Sequence, residues 1–221
     1  WVDVTGDGTA DLVAGAWSEP ALGLGYNSGA VHVFETSAGV PATSPTESWQ
    51  GFPGHSANDR YGYTTSSAGD FDGDGYVDLV VVAWNDTEPG VPNPLIYANP
   101  TECPAGANVG GTGTAWIHRG GPAGISPDPA FVFYGYEASD HIERVAGGAD
   151  FDNDGYDDVF YGSVSITEGG GVGIVRGRPA NPAGITILCD IDLVSAPSSG
   201  ARLGVDLAIA GDLDSDGCDD L

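Results

Sequence analysis

One nine-residue phrase, written four times, constrains this chain more than any other feature of it. It reads Asp3-Val-Thr-Gly-Asp-Gly-Thr-Ala-Asp11, Asp70-Phe-Asp-Gly-Asp-Gly-Tyr-Val-Asp78, Asp150-Phe-Asp-Asn-Asp-Gly-Tyr-Asp-Asp158 and Asp212-Leu-Asp-Ser-Asp-Gly-Cys-Asp-Asp220. Positions 1, 3, 5 and 9 carry oxygen-bearing side chains, and position 6 is glycine in every copy. Glycine there permits a positive φ, so the backbone reverses tightly and turns the carbonyl of position 7 toward the side chains of the odd positions. The chain must therefore fold as a repeat in which the same tight turn recurs.

The segments around the turns read as strands. After the phrase come the apolar runs Asp11-Leu-Val-Ala-Gly-Ala-Trp17, Asp78-Leu-Val-Val-Val-Ala-Trp84 and Asp158-Val-Phe-Tyr-Gly-Ser-Val164, too short and too β-branched for helices. Before it come Tyr61-Gly62 through Ala68-Gly69, a weaker Ile142 to Ala149, and Leu203-Gly204 through Ala210-Gly211, read as strands ending at or near glycine. Alternating strands follow at Gly29 to Phe34, Gly113 to His118 and Gly171 to Arg176, and a fourth per repeat is expected near Ser48 to Phe52, Ala130 to Tyr134 and Gly184 to Cys189. Four short strands per unit with no helical periodicity predict an all-β chain, built as propeller blades or as a β-solenoid.

Carboxylates this close repel one another, by about 3 kcal/mol per pair at ~5 Å and an effective dielectric near 20. A hard divalent cation removes that penalty. The expected donors are Asp3, Thr5, Asp7, Thr9 and Asp11 in the first loop, and Asp70, Asp72, Asp74, Tyr76 and Asp78 in the second. In the third they are Asp150, Asp152, Asp154, Tyr156 and Asp158, and in the fourth Asp212, Asp214, Asp216, Cys218 and Asp220. Thr9, Tyr76, Tyr156 and Cys218 stand at position 7 and would act through their backbone carbonyls. All-oxygen ligation with little room for retained water favours calcium over magnesium, up to four ions, and the lack of His or Cys side-chain ligands argues against zinc and copper. The EF-hand opens with the same phrase but needs a Glu at position 12, where this chain has Ala14, Val81 and Tyr161. Asp at position 9 is expected to close the site instead.

Charge narrows the partners. With 32 acidic residues against six arginines and no lysine, the formal net charge is −26, which argues against nucleic acid and against insertion at anionic membranes. The acidity does not imply disorder, because 41% of residues are hydrophobic and aromatic residues are spread along the chain. The absence of methionine leads us to expect a processed or excised piece of a longer product, and no signal peptide or membrane-length apolar run is evident. Cys103, Cys189 and Cys218 make an odd number of cysteines and leave the pairing open.

These residues resemble the FG-GAP repeats of integrin α-subunit β-propellers and their bacterial relatives. Tyr61-Gly62 and Leu203-Gly204 stand where that family has Phe-Gly, and Gly15-Ala16-Trp17 and Val82-Ala83-Trp84 where it has Gly-Ala-Pro. The third repeat departs, with Ile142-Glu143 and Tyr161-Gly162-Ser163 at those places, so its inner strand is the weakest expectation. The resemblance implies four-stranded antiparallel blades with calcium-binding hairpin loops between first and second strands. It gives repeat units 3–69, 70–149 and 150–211 and the start of a fourth at 212–221, about half a seven-bladed ring. Unpaired blade edges then lead us to expect a homodimer in which Leu203 to Gly211 of one copy completes the Asp11 to Phe52 blade of another. Absent lysine and abundant Gly, Ala and Asp point to a bacterial secreted or cell-surface protein.

The expected function is extracellular adhesion or ligand binding, with structural calcium and no catalysis. The alternatives are a carbohydrate-binding propeller, or a propeller accessory to an absent enzyme domain. No nucleophile elbow, zinc helix or P-loop occurs, and His32, His55, His118 and His141 have no motif around them. In the resembled family, ligands bind opposite the calcium loops, which here implicates Ser18 to Ser28, Asn85 to Thr112, Gly54 to Arg60, Tyr136 to His141 and Ala196 to Arg202. The protein or glycan that would bind there is not specified by the sequence. Trp17, Trp84 and Trp116 are expected to pack between blades rather than to stack on sugars.

Overall fold

The computed structural model describes residues 2–20, 23, 25–50, 57–86, 113–135, 141–164, 169–182, 184–188 and 190–221. Most of the Asn85 to Thr112 and Tyr136 to His141 loops, together with His55, Cys103 and Cys189, lie outside the described residues.

The described residues form fourteen strands and no helix. The apolar run after the second loop becomes β7 (Asp78–Ala83), all six residues of which are buried. Period-two alternation divides its side chains between two cores. Leu79, Val81 and Ala83 join Val31, Val33 and Trp116 on one side, and Val80 and Val82 join Phe131, Phe133 and Tyr161 on the other. A strand apolar on both faces needs a sheet on either side, and that requirement stacks the blades.

The second blade runs in the order β6 (Tyr61–Gly69), β7, β8 (Thr114–His118) and β9 (Pro129–Tyr134), all antiparallel. The third runs β10 (Arg144–Ala149), β11 (Asp158–Ser163), β12 (Gly171–Val175) and β14 (Ile191–Ser195), likewise antiparallel. In the first, β1 (Leu12–Gly15), β2 (Ala30–Phe34) and β5 (Glu47–Gln50) correspond to the second, third and fourth strands. A small hairpin, β3 (Thr36–Ser37) with β4 (Val40–Pro41), turns through Ala38 and Gly39, both at positive φ. The chain is all-β, in sheets that fit partial propeller blades.

Three expectations change. The Gly184 to Cys189 segment was expected as the fourth strand of the third blade, but Ile191–Ser195 takes that place. Thr186–Leu188 forms β13, which crosses to the second blade and pairs in parallel with β9. There Ile187 faces one inter-blade core and Leu188 the other. Second, Leu203 to Gly211 forms no strand; Leu203 and Gly211 make only isolated bridges, to Gly170 and Asp220. A strand needs a ladder on at least one side, and among the described residues no hairpin partner runs beside it. Third, the departure of the third repeat does not weaken its inner strand: Ile142 is fully buried and β10 pairs with β11 from Arg144 to Ala149.

The two glycines of the family phrase explain how closely blades approach. A Cβ on Gly15 would lie 2.1 Å from the Gly62 carbonyl oxygen, and one on Gly162 would lie 2.0 Å from that of Gly204. At these crossings no side chain fits between successive inner strands.

Candidate metal centre

All four loops share one internal pattern. Position 6 is in the left-handed region, with φ of 86°, 90°, 94° and 96° at Gly8, Gly75, Gly155 and Gly217. So is position 4, at Gly6 (69°), Gly73 (74°), Asn153 (56°) and Ser215 (65°), a second turning point the sequence reading missed although Gly and Asn were its signal. The carboxylate of position 1 reaches across the turn. Asp3 accepts from Asp7 N–H and Gly8 N–H (3.1 and 2.7 Å), Asp150 from Asp154 and Gly155 (3.0 and 2.9 Å), and Asp212 from Asp216 and Gly217 (both 3.1 Å). Asp70 accepts from Gly75 N–H (3.0 Å). At position 5, Asp7, Asp74, Asp154 and Asp216 each accept the N–H of position 7, from Thr9, Tyr76, Tyr156 and Cys218.

Position 9 ties the loop to the sheet. One oxygen of Asp11, Asp78, Asp158 and Asp220 accepts the N–H of position 2, from Val4, Phe71, Phe151 and Leu213. The other oxygen of the first three accepts from the end of the third strand, at Thr36, Gly120 and Gly177 (2.8, 2.8 and 2.9 Å). These three carboxylates are fully buried.

The turns bring carboxylates together in three of the four loops. Oxygens of Asp70, Asp72 and Asp74, of Asp150, Asp152 and Asp158, and of Asp212, Asp214 and Asp220 lie within 4.8 Å of one another in each set. Asp78, Asp154 and Asp216 fall outside their loops' groups. Asp3, Asp7 and Asp11 form no such group; Thr5 Oγ1 instead donates to Asp11 Oδ2 at 3.4 Å.

Burial and mutual repulsion raise the cost of charge here. Burial pushes Asp78 up to about 8, with Asp72, Asp74 and Asp70 adding to the rise and the Gly120 N–H opposing it. Asp158 is pushed up to about 6, again first by burial, and Asp72 is raised for the same reason. Asp70 Oδ1 is buried and accepts no hydrogen bond. A buried carboxylate oxygen without a donor, among further carboxylates and no His or Cys side-chain ligands, is a donor set that fits a hard divalent cation.

Two arginines were missed in the sequence. Arg119 and Arg176, each directly after the third strand, approach the position-3 carboxylates Asp72 (3.9 Å) and Asp152 (2.7 Å). The matching residue of the first repeat is Glu35, and there position 3 is Thr5. The signal was a reciprocal change of charge at corresponding places.

Other candidates lie away from the loops. Trp116 is buried at an inter-blade core, whereas Trp17 is 41% exposed. Trp84 stacks on Tyr63 and His141 and, like Trp17, lies under the Arg60 guanidinium. His118 is fully buried between blades; its Nε2 meets the Tyr61 hydroxyl at 2.7 Å and its Nδ1 the Ser126 carbonyl at 2.9 Å. Cys218 is a free thiol. Among the described residues no helix is long and apolar enough to cross a membrane.

Residues 61–88, the inner hairpin of the second blade with its loop, match the FG-GAP repeat. Over 186 residues, 80% of this chain, the sequence is 26% identical to integrin alpha-6 of Gallus gallus. The chain is an integrin-α-like FG-GAP repeat protein. The match spans 14% of that relative's length. In this FG-GAP chain the matched hairpin is also where the acidic turn is best enclosed, since Asp72 and Asp78 are both buried.

Proposed function

We propose that the chain is a non-enzymatic, calcium-stabilised propeller module serving extracellular adhesion or ligand binding. The observation that carries the calcium reading is the Asp70 cluster, where three carboxylates converge around an oxygen that nothing donates to. Asp72 and Asp74 would complete the contacts there, as Asp150, Asp152 and Asp158 would in the third loop and Asp212, Asp214 and Asp220 in the fourth. When bound, the ion supplies positive charge and cross-links the turn. It leaves the blade faces and the end opposite the loops to recognise partners. The recurrence of one turn per blade supports a structural ion, and the integrin relative supports adhesion.

Chelation tests this. Binding to the native state alone adds RT ln(1 + [Ca]/Kd) per site, about 2.7 kcal/mol at one hundred times Kd, so EDTA should lower Tm by well over 5 °C and excess calcium should restore it. An unchanged Tm would remove the reading.

Glycan binding is a second reading, favoured by the exposed Trp17 ring beside Tyr63. Glycan-array binding lost in Trp17→Ala would support it. Self-association also has a structural motive, because β1 is a sheet edge and Leu203 to Gly211 lacks a ladder. Sedimentation of a monodisperse monomer in calcium would exclude the dimer.

A further inference from the structure

Adjacent loops touch, and they do so most fully between the second and third. Asp157, at position 8 of the third loop, reaches into the preceding blade and holds Asp70 from two sides. Its N–H donates to the Asp70 carbonyl at 3.2 Å, and its Oδ2 accepts the Asp70 N–H at 2.8 Å. One residue on, the Arg178 N–H donates to the Phe71 carbonyl at 2.9 Å. The carboxylate sits where a Cβ on Gly69 would be, 2.0 Å from that position, and Gly69 takes a φ of 68°. Asp157 is thus seated in a slot that only glycine leaves open.

We infer that Asp157 is a positioning residue that couples cation binding in the second and third loops. The inference rests on the calcium reading above. Asp157 lies between Tyr156, whose carbonyl is the expected position-7 donor, and Asp158, which belongs to the third carboxylate group. An ion in the third loop fixes both neighbours and so fixes Asp157. Asp157 in turn fixes the backbone of Asp70, the first carboxylate of the second loop. An ion in the second loop then meets ligands already in place, and by linkage it returns the same advantage to the third. The fourth loop contacts the third more weakly, through Asp219 N–H and the Asp150 carbonyl at 3.4 Å. The second loop has Val77 at position 8, with no carboxylate to offer the first. Coupling should be strongest between the second and third.

Site-resolved calcium titration of the full 221-residue chain tests this, following the amides of Gly75 for the second loop and Gly155 for the third by NMR. Disabling the third loop by Asp154→Asn should weaken binding at Gly75 about fivefold or more. In an Asp157→Ala background, binding at Gly75 should already be weaker and should no longer respond to Asp154→Asn. Asp157→Asn retains an acceptor oxygen for the Asp70 N–H and should retain the coupling, which separates this role from general damage to the fold. Calcium bound at both loops with Gly75 indifferent to Asp154→Asn would overturn the inference and leave the calcium reading intact. No calcium-dependent shift in the unsubstituted chain would overturn both.

Discussion

At the scale of single residues, the decisive quantity is the cost of burying charge. A carboxyl raised to about 8 is comfortable protonated and costly ionised. Because the folded value of Asp78 exceeds its unfolded value of about 3.9, its effect on stability is smallest in acid and becomes more unfavourable as pH rises toward 8. In calcium-free buffer, urea unfolding should therefore show a loss of a few kcal/mol from this group between pH 4 and pH 8. Saturating calcium should abolish or reverse that slope, since the ion favours the ionised form. His118 behaves oppositely. Burial lowers it to about 4, below its unfolded value near 6.5, so its protonation penalty grows as pH falls through that window, to about 3 kcal/mol. With calcium in excess, Tm should fall in that window, and His118→Gln, which cannot titrate, should flatten this part of the profile. Gly162→Ala should cost about 2 kcal/mol or more in urea, because its new Cβ meets backbone that has nowhere to move.

Elements were legible in the sequence where their pattern is local. The runs after Asp78 and Asp158 announce β7 and β11 because a strand buried on both faces must be apolar throughout. The turns were legible from Asp and Gly spacing, though not the second left-handed residue at position 4. What the sequence did not reveal is partner choice. Ile185 to Leu188 has strand composition, yet nothing in it says that its ladder lies on the neighbouring blade, and Ile191–Ser195, broken by Asp192, gave too weak a pattern to compete. The arginines beside Asp72 and Asp152 were invisible for the same reason, being brought there by the ends of β8 and β12. If β13 contributes as its burial indicates, Leu188→Ala should cost about 2 to 4 kcal/mol in equilibrium unfolding, more than a change on an exposed strand such as β14.

At the scale of the molecule, nearly half of the acidic side chains sit in the four turns, and the rest leave a strongly anionic surface. Screening acts on both. Raising sodium chloride from ~10 mM to ~0.5 M should increase Tm, and by more in EDTA than in calcium, where the turns are already neutralised. Equal gains in the two buffers would show that repulsion within the turns is not what limits the calcium-free chain. The sheets also set the natural boundaries of this molecule differently from the phrase. A repeat counted from loop to loop begins in the middle of a blade, and β13 carries part of the third blade onto the second. The units are braided. Neither a gene duplication nor a protease can add or remove one blade by cutting between sheets, since every such cut strands an inner strand on one side and a strap on the other. Growth or trimming of such an array must proceed by whole sequence repeats, each taking its strap with it.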